Sequence, residues 1–171
     1  MKLRTIMIFP EFDNMEIIRN IRKRYDPLAE LVAPHITIVF PFKSKMSNEE
    51  LSQVLAKRLK GIKSFDIELS GISKQTDRFG NYLFLNLNKG IEETCSIHQH
   101  LYENEFKEFN VGIEYAPHMT IGNLPDVHSL NDAYTAIQPL DCVFHTTVNK
   151  ISVEMIGDHD ESIIIIEKYL D

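Results

Sequence analysis

A chain of 171 residues, of which 43% are hydrophobic, is long enough to bury the core of a single domain. Its formal net charge of −7 argues against a basic face that binds duplex nucleic acid, although a local pocket for one nucleotide or one RNA end is compatible with this charge. The two cysteines are too few for a disulfide framework and are predicted to be reduced thiols of a cytoplasmic protein.

The chain opens with a predicted strand at 3–9. Pro10, Glu11 and Asp13 interrupt this basic and apolar start too early for a secretory signal, and no later apolar run is long enough for a membrane helix. We therefore expect no contact with a membrane. The other elements predicted in the first half are a helix at 14–25, a strand over 33–38 that Pro41 ends, a helix at 47–60 with a capping box from Ser47 and Glu50, and strands at 65–72 and 82–87 with a turn at 78–81.

A short phrase recurs in the second half together with the order of elements around it. Residues 33–38 read Ala-Pro-His-Ile-Thr-Ile and residues 116–121 read Ala-Pro-His-Met-Thr-Ile, with the two histidines 83 positions apart. This repetition is typical of an internal duplication, so we predict one domain with repeated halves at approximately 1–88 and 89–171. The second half is predicted to contain a helix at 91–106, a strand at 117–121, a helix at 128–137, and strands at 142–148, 151–156 and 162–169.

Each copy of the phrase predicts a strand with a polar front and an apolar back. Because side chains alternate between the faces of a strand, His35 shares a face with Thr37, and His118 shares a face with Thr120. If the halves pack about a pseudo-twofold axis, the two fronts face each other across a cleft. One imidazole could then act as a base and the other as an acid on a phosphoester, while the hydroxyls bind its non-bridging oxygens.

Further side chains are weaker candidates for contacts with a substrate. Arg78 could pair with a phosphate oxygen, and Phe79 and Tyr115 could stack on a base, although turn and strand-edge positions also explain these residues. His98 and His100 are spaced i and i+2 on a predicted helix and do not share a face. A solvated helix surface is therefore favoured over a metal site for this pair.

The paired phrases at 35–38 and 118–121 resemble the two His-x-Thr motifs of the 2H phosphoesterase superfamily, which includes 2′-5′ RNA ligase-like proteins and cyclic nucleotide phosphodiesterases. Element order and spacing fit over essentially the whole chain, which is most similar to short bacterial phosphoesterase members. The resemblance implies an α+β fold with two pseudo-symmetric lobes, in which antiparallel sheets flank a central cleft and helices lie outside.

The same resemblance implies hydrolysis of a small 2′,3′-cyclic phosphodiester or a related RNA end, with no metal or other cofactor. Carried over residue by residue, His35 and His118 are the acid–base pair, and Thr37 and Thr120 bind the phosphate. Two alternatives stay open. The chain could bind a nucleotide or RNA end without turnover, or it could be an RNA 2′-5′ ligase, since a catalyst accelerates both directions of one reaction. The sequence identifies neither a protein partner nor which histidine is the base.

Overall fold

The structure is a computed structural model that describes residues 3–171. Met1 and Lys2, part of the segment considered as a secretory signal, lie outside the described residues. The helices are Met15–Tyr25 (α1), Asn48–Arg58 (α2), Ile91–Tyr102 (α3) and Val127–Ile137 (α4), with a 3-10 turn at Lys107–Phe109. The strands are Leu3–Ile8 (β1), Ile36–Lys43 (β2), Phe65–Asp77 (β3), Gly80–Lys89 (β4), His118–Leu124 (β5), Phe144–Val148 (β6), Lys150–Ile156 (β7) and Ser162–Tyr169 (β8).

Over residues 3–171, eight strands form one antiparallel sheet in the order β6-β3-β4-β5-β2-β1-β7-β8. β6 lies at one edge and β7 lies next to the other edge, yet Asn149 alone connects them, so the sheet must curl back on itself. The carboxyl terminus closes this curl: the Leu170 amide donates to the Asn149 carbonyl (2.8 Å), and the Ser64 amide donates to the Asp171 carbonyl (3.0 Å). The predicted α+β class, with antiparallel strands and helices outside, is confirmed.

One face of the curled sheet is covered by the helices, and the other face lines a concave interior. Apolar side chains from strands and helices merge into one core cluster on the covered face, and each such side chain stabilises the fold by about 1.5–3 kcal/mol when fully buried. Because side chains alternate along a strand, the residues between these core positions point into the concave interior. The core includes Ile6, Ile36, Leu85 and Met119 from strands, and Ile18, Leu55, Ile97 and Leu130 from helices.

Two helices pack on strands that are distant from them in the chain. α1 follows β1 in the chain but packs on β5, and α3 follows β4 but packs on β2. Each of these helices therefore supports the motif strand of the opposite half. In the described part of the chain, no helix is long and apolar enough to cross a membrane. Cys95 and Cys142 are both free.

The start of α2 is the predicted capping box. The Ser47 hydroxyl accepts from the Glu50 amide (3.1 Å), and the Ser47 amide donates to the Glu50 carboxylate (2.7 Å). Asp126 caps α4 in a similar way, because its carboxylate accepts from the Ser129 amide at 2.7 Å. Each cap stabilises its helix by about 1 kcal/mol.

Pro41 does not end the first motif strand, so that prediction was wrong. β2 continues to Lys43, and its register against β1 shifts between the pairs Arg4–Phe42 and Ile6–Val39. The shift leaves Pro41 in a bulge, where a residue without an amide hydrogen is tolerated because the ladder needs no donor from it.

Two other predicted boundaries also differ from the structure. β3 runs past residue 72 to Asp77, because a register shift beside Gly71 (φ 76°) interrupts the alternation on which the prediction depended. α3 ends at Tyr102 instead of near residue 106, and the chain then turns into the 3-10 segment.

Candidate active site

The two motif strands lie side by side at the centre of the sheet, where Ile36 of β2 and Met119 of β5 are Cα partners. Both side chains are buried in the core, so the histidine that precedes each of them points to the concave face. An antiparallel register through this pair makes His35 and His118 diagonal neighbours, with Cα atoms roughly 7–8 Å apart. The charge of His118 lowers the pKa of His35, which agrees with this proximity.

The motif threonines share this face with the histidines. Thr37 is the Cα partner of Met7 in β1, and Thr120 is the Cα partner of Phe84 in β4. Both threonines are half-buried, so their hydroxyls lie at the boundary between the sheet and the concave interior. The structure therefore brings the four residues of the two His-x-Thr motifs onto one surface.

Both imidazoles are held in the same way by the backbone that precedes them. His35 Nδ1 lies 2.8 Å from the Ala33 carbonyl, and His118 Nδ1 lies 2.7 Å from the Ala116 carbonyl. A carbonyl can only accept, so Nδ1 carries the hydrogen in each ring and Nε2 is the nitrogen left for chemistry. The proline between alanine and histidine restricts the backbone at this point, which explains why the phrase includes it.

Burial lowers the pKa of both motif histidines. It lowers the pKa of His35 to about 4, against an opposing effect from the hydrogen bond to the Ala33 carbonyl. Burial also lowers the pKa of His118, and the bond to the Ala116 carbonyl again opposes the change. In the free protein at neutral pH, both rings are therefore neutral proton acceptors at Nε2.

An aromatic row on β4 supports His118. The ring of Phe84 stacks on the His118 imidazole, with centroids 3.7 Å apart and an interplanar angle of 27°. The ring of Tyr82 in turn stacks on Phe84 at 5.8 Å. The face of an aromatic ring attracts a cation, so this contact favours the protonated form of His118 and opposes the effect of burial.

A buried ion pair that the sequence did not indicate lies close to His35. Arg22 of α1 donates from Nε to the Asp26 carboxylate (2.8 Å) and from Nη1 to the Val32 carbonyl (2.7 Å). Asp26 also accepts from the Leu28 amide at 2.9 Å. The pair therefore organises the loop that enters the first motif, and both of its charges influence the pKa of His35. The spacing i, i+4 was visible in the sequence, but only burial distinguishes this pair from a surface pair.

Side chains near α3 occupy the edge of β2 beyond its contact with β5. The Tyr115 hydroxyl donates to the Thr37 carbonyl (2.8 Å), and His98 Nδ1 donates to the Ile38 carbonyl (2.7 Å). The rings of Tyr115 and His98 are parallel, with centroids 3.6 Å apart. The prediction that His98 lies on a solvated surface was wrong, since it is half-buried, whereas His100 is exposed.

Arg78 and Phe79 lie at the tip of the hairpin between β3 and β4. The Arg78 guanidinium lies over the Phe79 ring at 4.7 Å and bonds to the Val111 carbonyl at 3.4 Å. Asn86, the partner of His118, lies six positions along β4 from Gly80, which corresponds to roughly 20 Å of extended strand. No described contact joins this hairpin tip to the motif residues.

Comparison with known proteins gives relatives that match most of the chain. A protein of Geobacillus kaustophilus, whose name assigns it provisionally to the phosphoesterases, is 30% identical over 157 residues, which cover 85% of this chain and 83% of that protein. A protein of Halalkalibacterium halodurans with the same kind of name is 29% identical over 134 residues, with coverage of 74% and 73%.

Solved structures with the same fold cover nearly the whole chain. Escherichia coli LigT in complex with 3′-AMP has a TM-score of 0.69 at 13% identity, and covers 99% of this chain and 98% of its own. TT0787 of Thermus thermophilus has a TM-score of 0.64 at 14% identity, with the same coverage. The sequence profile of the 2′-5′ RNA ligase superfamily matches residues 9–159. The chain belongs to the 2′-5′ RNA ligase superfamily.

Proposed function

We propose that the chain is a metal-independent phosphodiesterase that hydrolyses a small 2′,3′-cyclic phosphodiester or an RNA-terminal phosphoester, with His35 and His118 as its base and acid. The observation that carries this proposal is the pairing of Ile36 with Met119, which makes the motif histidines diagonal neighbours on one face. The free Nε2 atoms of the two rings can then act on opposite sides of one phosphorus atom.

We assign the role of base to His35. Its low pKa keeps the ring neutral, so Nε2 accepts a proton from water as the water oxygen bonds to phosphorus. His118, stacked on Phe84, donates its Nε2 proton to the ribose oxygen as the bond between that oxygen and phosphorus breaks. The bound phosphodiester is an anion, and it raises the pKa of both rings, which supports protonation of His118 in the complex.

Thr37 and Thr120 are the proposed donors to the non-bridging phosphoryl oxygens. Each lies two positions after a motif histidine, on the same face and half-buried. Hydroxyl donors that are fixed before the reaction stabilise the charge that develops on these oxygens in the transition state. Arg78 and Phe79 lie at the hairpin tip, so we propose them as contacts of an RNA-terminal substrate only, and Tyr115 already uses its hydroxyl to hold the Thr37 carbonyl.

A small nucleotide is the proposed substrate class. The superfamily is named for chemistry on RNA, and LigT of the same fold binds 3′-AMP and ATP in its crystal structures. The net charge of −7 favours a single nucleotide or RNA terminus over duplex nucleic acid, which would need a broad basic face.

A nucleotide-binding module without turnover is the second candidate. The specific observation in its favour is that both motif rings are neutral in the free protein, a state that lacks a general acid. RNA ligation through the same residues is the third candidate, because the reverse of phosphodiester cleavage uses the same acid–base pair.

Turnover of 2′,3′-cyclic nucleotides and of an RNA that ends in a cyclic phosphate, measured in EDTA, tests the proposal. We expect wild-type turnover of at least one of these two substrates with a bell-shaped pH profile, and loss of that turnover by at least about 10²-fold in both His35→Ala and His118→Ala. His100→Ala, which removes an exposed histidine from α3, is the matched control and should keep wild-type activity.

The outcomes separate the three candidates. Full activity in either motif variant would contradict the acid–base pair. Nucleotide binding in the absence of any turnover would favour the binding module, and the joining of RNA ends without net hydrolysis would favour the ligase. Dependence on added metal would contradict metal-independent chemistry.

A further inference from the structure

A cavity of about 570 Å³ lies where β6 and β7 meet, between the end of β1 and the edge strand β8. Its size falls within the range of about 300–1,000 Å³ that is usual for small-molecule pockets. Ser152 lines it and is only 2% exposed; it is the Cα partner of Met7, which is itself the partner of Thr37. Ile164 and Tyr169 also line the cavity and are 43% and 59% exposed, so they offer apolar surface to a ligand.

The cavity reaches the neighbours of His35, although the four motif side chains do not line it. Phe9 lines the cavity, and its ring centroid lies 5.9 Å from that of His35. Ala33 lines it as well, and the carbonyl of Ala33 holds His35 Nδ1. A group attached to a phosphate at the motif histidines can therefore extend past Phe9 into the cavity.

The charges around the cavity disfavour a second phosphate. Among the described residues that line it, the charged side chains are Lys150, Glu167 and Glu11. Lys150 bonds to the Glu167 carboxylate at 2.6 Å, which raises the pKa of the lysine, and Glu11 acts on it in the same direction. The lysine is therefore neutralised by its partner, and Glu11 leaves the cavity with an excess negative charge.

We propose that this cavity binds the nucleoside of the substrate with a free 5′-hydroxyl and rejects nucleosides that carry a 5′-phosphate. The proposal rests on the proposed function for the position of the reacting phosphate at His35 and His118. The aromatic and aliphatic walls accept a base, and the exposed polar side chain of Asn149 can bond to hydroxyl groups. The substrate is then an unphosphorylated mononucleoside cyclic phosphate, because an upstream nucleotide in RNA places a phosphate at the same position as the 5′-phosphate.

Calorimetric titration of the wild-type chain tests this discrimination without any turnover. The probes are adenosine 3′-monophosphate, adenosine 3′,5′-bisphosphate and inorganic phosphate, none of which contains a diester bond to cleave. We expect the bisphosphate to bind at least about tenfold more weakly than the monophosphate, since its additional charge meets the excess carboxylate. The monophosphate should bind more tightly than inorganic phosphate, because the nucleoside adds contacts.

Variants of two cavity residues assign the effect to this cavity. Glu11→Gln should reduce the difference in affinity between the monophosphate and the bisphosphate. Glu93→Gln, on the exposed surface of α3, should leave this difference unchanged. Phe9→Leu keeps an apolar side chain but removes the ring. This variant should lower the affinity for adenosine 3′-monophosphate by about fivefold or more and leave the affinity for inorganic phosphate unchanged.

The proposal is overturned if the two nucleotides bind equally, if Glu11→Gln leaves their difference intact, or if the nucleoside adds nothing to the affinity for inorganic phosphate. Failure of the function is a separate result. Discrimination that depends on Glu11 and Phe9 in a chain that turns over no cyclic nucleotide supports the cavity and contradicts the enzyme. Turnover without such discrimination supports the enzyme and contradicts the cavity.

Discussion

Ile36 and Met119 directly follow the two motif histidines in the chain, and they pair with each other where β2 meets β5. Each is 0% exposed, so the core beneath the motif face contains one residue from each motif. Among the described residues this is the one Cα pair between β2 and β5, so the packing of these two side chains helps to hold the strands in register. The spacing of the histidines on the opposite face therefore depends on the core.

Met119→Ala should weaken both the fold and the site. Removal of a fully buried methionine side chain costs about 2–5 kcal/mol, and the strands can shift into the space that is left. We expect a lower free energy of unfolding in a denaturant titration together with a lower kcat on a cyclic nucleotide. Met119→Leu, which nearly conserves volume, should cost less than about 1.5 kcal/mol and retain most of the activity. A Met119→Ala protein that is destabilised but fully active would show that the spacing does not depend on this packing.

Loss of the Arg22–Asp26 pair should lower the free energy of unfolding, because the pair organises the loop that enters the first motif. Both side chains are at least nine-tenths buried, and Asp26→Asn leaves the arginine charge without its partner, which costs about 3–5 kcal/mol. Arg22→Lys should also be less stable than the wild type, because lysine cannot donate in the same forked geometry. The exposed Glu16–Arg19 pair on the same helix is the control, and Glu16→Gln should change the unfolding free energy by less than about 0.5 kcal/mol.

Tyr115→Phe removes the donor to the Thr37 carbonyl while it keeps the ring that stacks on His98. We expect a loss of about 1 kcal/mol in stability and a reduced kcat, because the backbone that carries the Thr37 hydroxyl is less firmly held. Tyr134→Phe on α4 is the matched control and should leave kcat unchanged. Equal kcat values for wild type and Tyr115→Phe would restrict the hydroxyl to a structural role.

His35 should make the fold sensitive to acid. Its pKa is about 4 in the folded chain and about 6.5 when unfolded, so the unfolded chain takes up the proton first. The stabilising contribution is fully present above pH 6.5 and is lost as the pH falls from 6.5 through 4. Because the ring is partly exposed, solvent screens part of this effect. We expect the free energy of unfolding of the wild type to fall by about 1–2 kcal/mol more than that of His35→Asn over this interval. Urea titrations at a series of pH values measure this difference, and an identical pH dependence in both proteins would contradict it.

Phe84→Leu should shift the basic limb of the pH–rate profile. The stacked ring favours protonated His118, and loss of a contact of about 0.5–1 kcal/mol lowers the pKa of this acid. The basic limb should therefore move toward lower pH by about 0.4–0.7 units, while the acidic limb, assigned to His35, should stay in place. Tyr82→Leu removes the next ring in the row and should move neither limb. A shift of the acidic limb would reverse the assignment of base and acid.

Local patterns in the sequence predicted the elements and the faces of the motif strands, because alternation and capping depend on neighbouring residues. The capping box of Ser47 and the shared face of His35 and Thr37 are of this kind. Contacts between distant segments could not be predicted from the sequence. The buried Arg22–Asp26 pair, the bond from His98 to the Ile38 carbonyl and the bulge that accommodates Pro41 all depend on tertiary packing.

The internal duplication stays a prediction. The order of strands in the sheet suggests where each repeated unit begins and ends. β2 and β5 meet at the centre, β1 and β4 flank them, and a helix follows each of these flanking strands. We propose that the repeated unit is the series β1-α1-β2-α2 and its counterpart β4-α3-β5-α4. This division falls before β4, whereas the sequence suggested a boundary near residue 88.

The junction of β2 and β5 also has a consequence for how the chain folds. Ile36 and Met119 are 83 positions apart, so their contact requires closure of a long loop before any energy is gained from it. Contacts of this kind slow folding and tend to form after local hairpins such as β3–β4 and β7–β8. We therefore expect the two histidines to approach each other late, so that recovery of catalytic activity during refolding lags behind recovery of secondary structure.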